Sequence, residues 1–198
     1  MKKIVCSLLL LSVVLIACSN KPKGAVEITG KLSNSAGEKI YFDELTAASI
    51  NSKDSVIVGK DGSFKLTATV PQLGFYRLRL TNSNFALLLL DTADKIEFNA
   101  DARNFSGTYS VKGSEASKKI ALVNYVMQRN YFIGDSLKKV YASYQGSPKM
   151  DSVGRALDMQ YNRVKITETV FLKKFITDNI ESLVSLSVID RLNSETEM

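Results

Sequence analysis

A β-plus-α protein is what this sequence predicts: an N-terminal antiparallel β-sandwich or barrel of some seven to eight strands, followed by an α-helical hairpin. Three observations lead there. Apolar residues alternate with a period of two from Ala25 to about Gly113, turn residues interrupt that alternation at regular intervals, and beyond Gly113 the period lengthens to that of a helix.

Val26, Ile28 and Leu32 mark the first strand, with Gly30 as a bulge or a close-packing point. After the Asn34–Gly37 turn, Ile40 and Phe42 alternate, and Ser55 to Val58 is a short strand. Phe64, Leu66 and Ala68 follow Asp61-Gly62, a dipeptide that between two alternating runs signals a hairpin. Tyr76, Leu78 and Leu80 interleave with Arg77 and Arg79, which predicts one wet face. Phe85 to Leu90 is apolar throughout, a strand covered on both faces. Ile96 with Phe98, then Tyr109 with Val111, complete the series.

Ser114 then reads as a helix N-cap, and Ile120, Val123 and Met127 recur at helical spacing. Gly134 is expected to interrupt this helix before Leu137, Val140, Tyr141 and Tyr144. Gly146-Ser147-Pro148 forms a loop, and a second helix carries Val153, Leu157, Tyr161, Val164, Phe171 and Phe175 with Glu168 as its acidic interruption. A shorter third helix from about Ser182 is expected to turn Leu183, Leu186 and Ile189 inward.

The N-terminus has a different character. Lys2 and Lys3 precede an apolar run, Ile4 to Ala17, that is short for a membrane span and has the charge order of a secretory signal. Its end, Leu15-Ile16-Ala17-Cys18, resembles the bacterial lipobox, in which the cysteine is lipidated and becomes the new N-terminus. That resemblance implies residues 1–17 as a lipoprotein signal, Cys18 as the lipidation site and residues 18–24 as a tether. It leaves residues 25–113 as the β domain and residues 114–198 as a helical linker region. The expected address is the cell envelope, lipid-anchored and facing the periplasm, at the outer membrane rather than the inner one.

Composition excludes much chemistry. The sequence has no histidine and two cysteines, Cys6 inside the signal and Cys18 at the lipid site. Triads built on histidine are therefore excluded, as are disulfides and thiolate metal sites in the folded part. The formal charge of +6 falls by two when Lys2 and Lys3 leave with the signal, and no Arg/Lys cluster interleaves with aromatics, so nucleic acid is not an expected partner. No catalytic residue, metal ligand or cofactor-binding residue is assigned.

Five groupings remain as candidates. Asp91, Asp94, Glu97 and Asp101 could gather a hard cation, but their spacing matches no calcium loop and fits turn chemistry better. Asp43 and Glu44 are adjacent, so a strand sends them to opposite faces and they cannot act as a pair. Tyr131, Tyr141, Tyr144 and Tyr161, with Phe132, either line a ligand groove or pack against a partner surface. Lys138-Lys139 and Lys173-Lys174 read as solvated faces or as contacts to anionic headgroups, and Gly59 to Gly62 as a turn.

Several of these features occur together in one kind of protein. The lipobox, the run Val26-x-Ile28-x-Gly30-x-Leu32, Asp54-Ser55, Asp61-Gly62-x-Phe64, Tyr76-x-Leu78 and Val111-x-Gly113-Ser114-Glu115 resemble the start of certain bacterial lipoproteins. In these a β domain of unknown function and a helical linker precede a thioredoxin-like domain of the TlpA/ResA thiol–disulfide oxidoreductase kind. The resemblance covers roughly residues 1–195 and implies a non-catalytic anchoring and positioning module. Its implied partners are the membrane, through Cys18, and a protein, the thioredoxin-like domain itself being absent from this chain. The family's Trp-Cys-x-x-Cys has no counterpart among these residues, so no catalytic role carries over. The chain reads either as the N-terminal part of a longer oxidoreductase or as a stand-alone module that binds a peptide or glycan.

Overall fold

The computed structural model describes residues 24–35 and 37–193. The signal segment and Cys18 lie outside the described residues. Eight strands, β1 (Ala25–Ser33), β2 (Lys39–Leu45), β3 (Ile50–Ile57), β4 (Ser63–Thr69), β5 (Gly74–Arg79), β6 (Phe85–Leu90), β7 (Lys95–Asp101) and β8 (Ser110–Lys112), form two sheets. One sheet is ordered β4-β1-β7-β8 and the other β3-β2-β5-β6. This is the sandwich expected from the alternating pattern. Ile28, Leu66, Ile96 and Phe98 of the first sheet meet Ile40, Phe42, Tyr76 and Leu88 of the second in one buried core. Aromatic rings order that core: Phe42 stacks on Tyr76 at 5.2 Å, and Phe98 touches Phe64, Phe105 and Tyr109.

Two details depart from the antiparallel hairpin picture. Strand β1 pairs with β7 in parallel register, Gly30 opposite Phe98. A Cβ on Gly30 would sit 1.8 Å from the Phe98 carbonyl oxygen, so of the two expected roles of this glycine the close-packing one holds. Asp61-Gly62 joins β3 to β4, which belong to different sheets. The turn is thus a corner between layers and not a hairpin. Asp61 Oδ1 accepts from the Ser63 amide (3.1 Å) and hydroxyl (2.8 Å), while the Gly62 carbonyl accepts from Leu32 N–H at 2.8 Å.

Between β7 and β8 lies a short helical turn, α1 (Phe105–Thr108). Two helices of 29 residues follow, α2 (Glu115–Ser143) and α3 (Met150–Asp178), each roughly 44 Å long. Gly113 makes the switch from strand to helix possible: its φ is +91°, and a Cβ there would meet the Lys95 carbonyl oxygen at 1.8 Å. The Ser114 hydroxyl then caps α2 by accepting from Ser117 N–H. Gly134 does not interrupt α2, which runs through it unbroken. Helix α4 (Leu186–Asn193) presents the opposite phase from the one expected. Val184 and Val188 point inward, and Leu183, Leu186 and Ile189 are exposed. The Ser182 hydroxyl caps the preceding turn at Val184 N–H, and Val184 and Val188 pack into the cluster beneath β6. No described helix is long and apolar enough to cross a membrane.

Strand β6 has apolar contacts on both faces. Ala86, Leu88 and Leu90 face the sandwich core. Leu89 faces a second cluster with Ile120, Val123, Leu172, Phe175, Val184 and Val188, and Leu87 and Phe75 border it. Side chains also occupy the backbone edge of β6. The buried Ser117 hydroxyl accepts from Leu89 N–H at 3.0 Å and donates to Leu89 O at 2.8 Å. The Ser114 hydroxyl reaches the same carbonyl at 3.2 Å, and the Tyr109 hydroxyl donates to Leu87 O at 3.1 Å. Ser117→Ala leaves a buried backbone donor without its partner. The variant is expected to lose about 1–3 kcal/mol of stability, measured by urea denaturation, and an unchanged midpoint would show that this pin is not what holds the helix to the sheet.

Candidate functional site

Helices α2 and α3 extend well past the sandwich, and their distal halves touch chiefly each other. Two tyrosines pack over glycines of the facing helix. The Tyr161 ring lies 3.7 Å from the position a Cβ would take on Gly134, and Tyr141 stands in the same relation, at 3.7 Å, to Gly154. Each tyrosine therefore packs against a glycine of the facing helix while keeping more than a third of its surface in solvent.

A groove runs along this seam. At its base a cleft of about 460 Å³ opens between β6, α1, α2 and α4, lined by Phe85, Ser106, Asn124, Gln128, Tyr131 and Arg191 among others. Met127 and Tyr131 also border a second hollow of about 260 Å³, where Asn130, Lys138, Tyr161 and Glu168 gather. Gly134, Lys138 and Tyr161 continue into a third of about 280 Å³ that ends at Tyr141 and Leu157. The basal cleft is within the range of small-ligand pockets, and the two smaller hollows fall just below it.

The floor of the groove is hydrogen-bonded in series. Arg191 Nη2 donates to Asn124 Oδ1 (2.7 Å), Asn124 Nδ2 donates to the Tyr109 hydroxyl (2.6 Å), and that hydroxyl donates to Leu87 O. Burial pushes the Tyr109 phenol up to about 12, against the opposing pull of Asn124 and Arg191, so it remains a donor at neutral pH. Further along, Asn130 Nδ2 donates to the buried Glu168 carboxylate at 2.7 Å, and Lys165 stands 3.8 Å from it. The single acidic position in the apolar stripe of α3 is thus satisfied by an amide on α2. Exposed tyrosine rings interleaved with fixed amides can stack on and hydrogen-bond to a ligand. Among the described residues, no three His, Cys, Asp or Glu side chains converge as metal ligands would.

A second constellation occupies the outer face of β2 and β5. Asp43 is 1% exposed, and its Oδ2 accepts from Arg77 Nε at 2.8 Å and Arg79 Nε at 2.6 Å. The Arg79 guanidinium lies over Tyr41 at 4.2 Å, and that of Arg77 over Phe85 at 5.4 Å. Burial alone would raise the Asp43 carboxyl, but the hydrogen bonds and charges of Arg79 and Arg77 outweigh it and hold the group below its usual value of 3.8. The wet face expected at these arginines is therefore a largely covered ion cluster. The signal was available in the sequence as opposite charges at alternating positions of two strands, but register was needed to bring them together.

The remaining candidates are placed plainly. Tyr131, Tyr141 and Tyr161 line the groove, whereas Tyr144 and Phe132 are not among its lining residues. Asp43 and Glu44 do point apart, Glu44 pairing with Lys53 at 3.0 Å. Asp91 and Asp94 brace their own turn through backbone amides. Glu97 bonds Lys112 and Asn99, and Asp101 bonds Arg103 and Asn34, so these acids serve separate local contacts. Lys139 pairs with Asp135 and Lys174 with Asp178 along their own helices, while Lys138 borders the groove.

Two titrations follow from this geometry. Because the folded-state value of Asp43 is depressed, its contribution to stability is present above its ordinary value and lost as pH falls through the lower folded one. Asp43→Asn should therefore be less stable than the parent by about 3 kcal/mol at pH 7 and should lack part of the stability loss below pH 3.8; identical acid-unfolding curves would contradict this. In a phenolate absorbance titration, one tyrosine should ionise near pH 12 and vanish in Tyr109→Phe.

Comparison with known proteins adds little beyond the β domain. No curated protein matches the chain. A solved structure, a 9R-lipoxygenase from Cyanothece PCC8801, aligns at 9% identity over 64% of this chain and 25% of that one, with a TM-score of 0.26. At that score the likeness says nothing about fold or function here. Residues 26–120, the sandwich and the first turns of α2, match the model of a family described as a domain of unknown function, DUF4369.

Proposed function

We propose that this chain is a periplasmic lipoprotein, anchored to a membrane through Cys18, whose sandwich and helical hairpin form a non-catalytic module that positions a protein partner. The partner implied by the sequence resemblance is a thioredoxin-like thiol–disulfide oxidoreductase domain. The observation that carries this reading is the unpartnered apolar surface around α4. Ile180 is 72% exposed, Leu186 52% and Leu183 40%, with Ile189 alongside. A surface of that kind is expected where a neighbouring domain docks. A lipid tether leading into a rigid sandwich, with the helices following it, would raise the effective concentration near the membrane of whatever docks on the helices.

The groove favours a second reading, a stand-alone module that binds a peptide or glycan. Tyr131, Tyr141 and Tyr161 are spaced along about 15 Å of α2 and its partner helix, with solvent-facing rings next to fixed amides.

One measurement separates the two. An antibody against residues 25–113 should detect, in the source cells, a product larger than the 21.8 kDa of this chain by about one domain, on the order of 100–150 residues. A product slightly below 21.8 kDa would instead favour the stand-alone module. Anchoring is tested independently: Cys18→Ser should move the protein out of the membrane fraction, and retention there would contradict lipid attachment.

A further inference from the structure

The groove and the α4 surface leave the ion cluster on β2 and β5 without a role. Its charges do not balance. Lys39, Arg77 and Arg79 share the outer face of the sheet with a single carboxylate, Asp43, because alternation sends their neighbours Ile40, Phe42, Tyr76 and Leu78 into the core. Lys39 Nζ lies 5.1 Å from the Tyr41 ring centroid and Arg79 Cζ 4.2 Å from the same centroid. Three cations against one anion leave an excess of two positive charges around one tyrosine. Glu44, the next acid in the chain, faces the other way and is held by Lys53.

The donors of this cluster are also unevenly used. Each arginine spends its Nε on the same oxygen, Asp43 Oδ2, and that shared contact holds the two guanidiniums side by side. Their Nη groups have no acceptor among the described residues. They are not sealed off either. Among the described residues, the buried side-chain polar atoms without a partner are Ser35 Oγ and Asp43 Oδ1, and the Arg77 and Arg79 side chains keep 9% and 18% of their surface in solvent. The Arg79 guanidinium lies over Tyr41 and that of Arg77 over Phe85, contacts that reduce the rotamer freedom left to lose when a ligand arrives.

From this geometry we infer that the outer face of β2 and β5 is a binding site for a phosphomonoester, held by the Nη groups of Arg77 and Arg79 with Lys39 as the third cation. Paired guanidiniums offer the forked donors that phosphate oxygens accept, and an excess of two positive charges matches a dianion better than a carboxylate. Asp43 is the positioning residue. It touches no ligand, but without it the two like charges would separate. The phosphate could belong to a soluble metabolite or to a lipid headgroup, and the flanking rings of Tyr41 and Phe85 would suit an acyl chain.

The test is NMR of the full chain, following the arginine Nε–Hε signals, of which those of Arg77 and Arg79 are bonded to Asp43. Inorganic phosphate is titrated at constant ionic strength, with chloride as control. Saturable shifts of both signals are expected, with binding weaker by about tenfold in Lys39→Ala and in Arg79→Lys, which keeps the charge and loses the fork. Lys39 is exposed, so its replacement leaves the fold intact. A short-chain phosphatidic acid below its micelle concentration is the second probe. Tighter binding than inorganic phosphate assigns the source to a lipid, and equal or weaker binding assigns it to a soluble phosphate. Signals that move for neither probe, that move equally with chloride, or that respond unchanged in both variants overturn the site.

Discussion

The structure depends on how strand β6 is finished. A strand at the edge of a sheet leaves alternate N–H and C=O groups without ladder partners, and those of Leu89 lie under a helix where water cannot reach them. Ser117 resolves this with a single hydroxyl that both accepts from and donates to Leu89, and Ser114 and Tyr109 add contacts on either side. Because Ser117 belongs to the first turn of α2, satisfying the strand also fixes the position of the helix. The direction of a 29-residue helix is thereby set by one residue at its start. Ile120 and Val123 then fall on Leu89, and α3 and α4 close over them.

Much of the fold was legible in the sequence for a simple reason. Period-two alternation is a local property, and in Ile40-x-Phe42 or Phe64-x-Leu66 the buried residue can be named without knowing its partner. What could not be read were properties of pairs of distant segments. Strand β1 pairs in parallel with β7, about 70 residues later. Asp61-Gly62 has the composition of a hairpin turn, and only sheet membership reveals a corner. Gly134 reads as a helix breaker because propensity counts its entropy, whereas α2 runs through it and Tyr161 of α3 packs against it, tertiary contact overriding local propensity.

The candidate sites show the same division. Tyr131, Tyr141 and Tyr161 are visible as aromatics at helical spacing, with a ligand groove and packing against a partner surface as the competing readings; within the chain, Tyr141 and Tyr161 are seated against glycines of the facing helix. A tyrosine seated against a glycine of the opposite helix is packed and also presents the rest of its ring to solvent. By contrast, Arg77 and Arg79 read as solvent-facing because nothing near them in sequence carries the opposite charge. The acid they need is 34 and 36 positions away, on a strand whose register was unknown. Leu183, Leu186 and Ile189 were assigned to the interior on spacing alone. A three-residue apolar set at that spacing fits one face of a helix, and the neighbouring valines, Val184 and Val188, fit another equally well. The tertiary contacts of Val184 and Val188 with the second cluster decide between them.

Phe85 connects the two surfaces. It begins β6, facing outward like Leu87 and Leu89, yet it lies beyond the cover of the helices. One side of its ring carries the Arg77 guanidinium, and the residue also lines the cleft beneath Arg191 and Tyr131. The outer face of this sheet is therefore graded along β5 and β6: Phe75, Leu87 and Leu89 lie against helices, and Arg77, Arg79 and Asp43 form a charged border. An anion held by Arg77 would change the charge beside the Phe85 ring, which also lines the mouth of the cleft. The coupling needs no movement of the sandwich, since the side chains concerned project from adjacent strands of one sheet. Phe85 borders both proposed surfaces, and if both bind ligands it is the residue through which occupancy of one would bias the other.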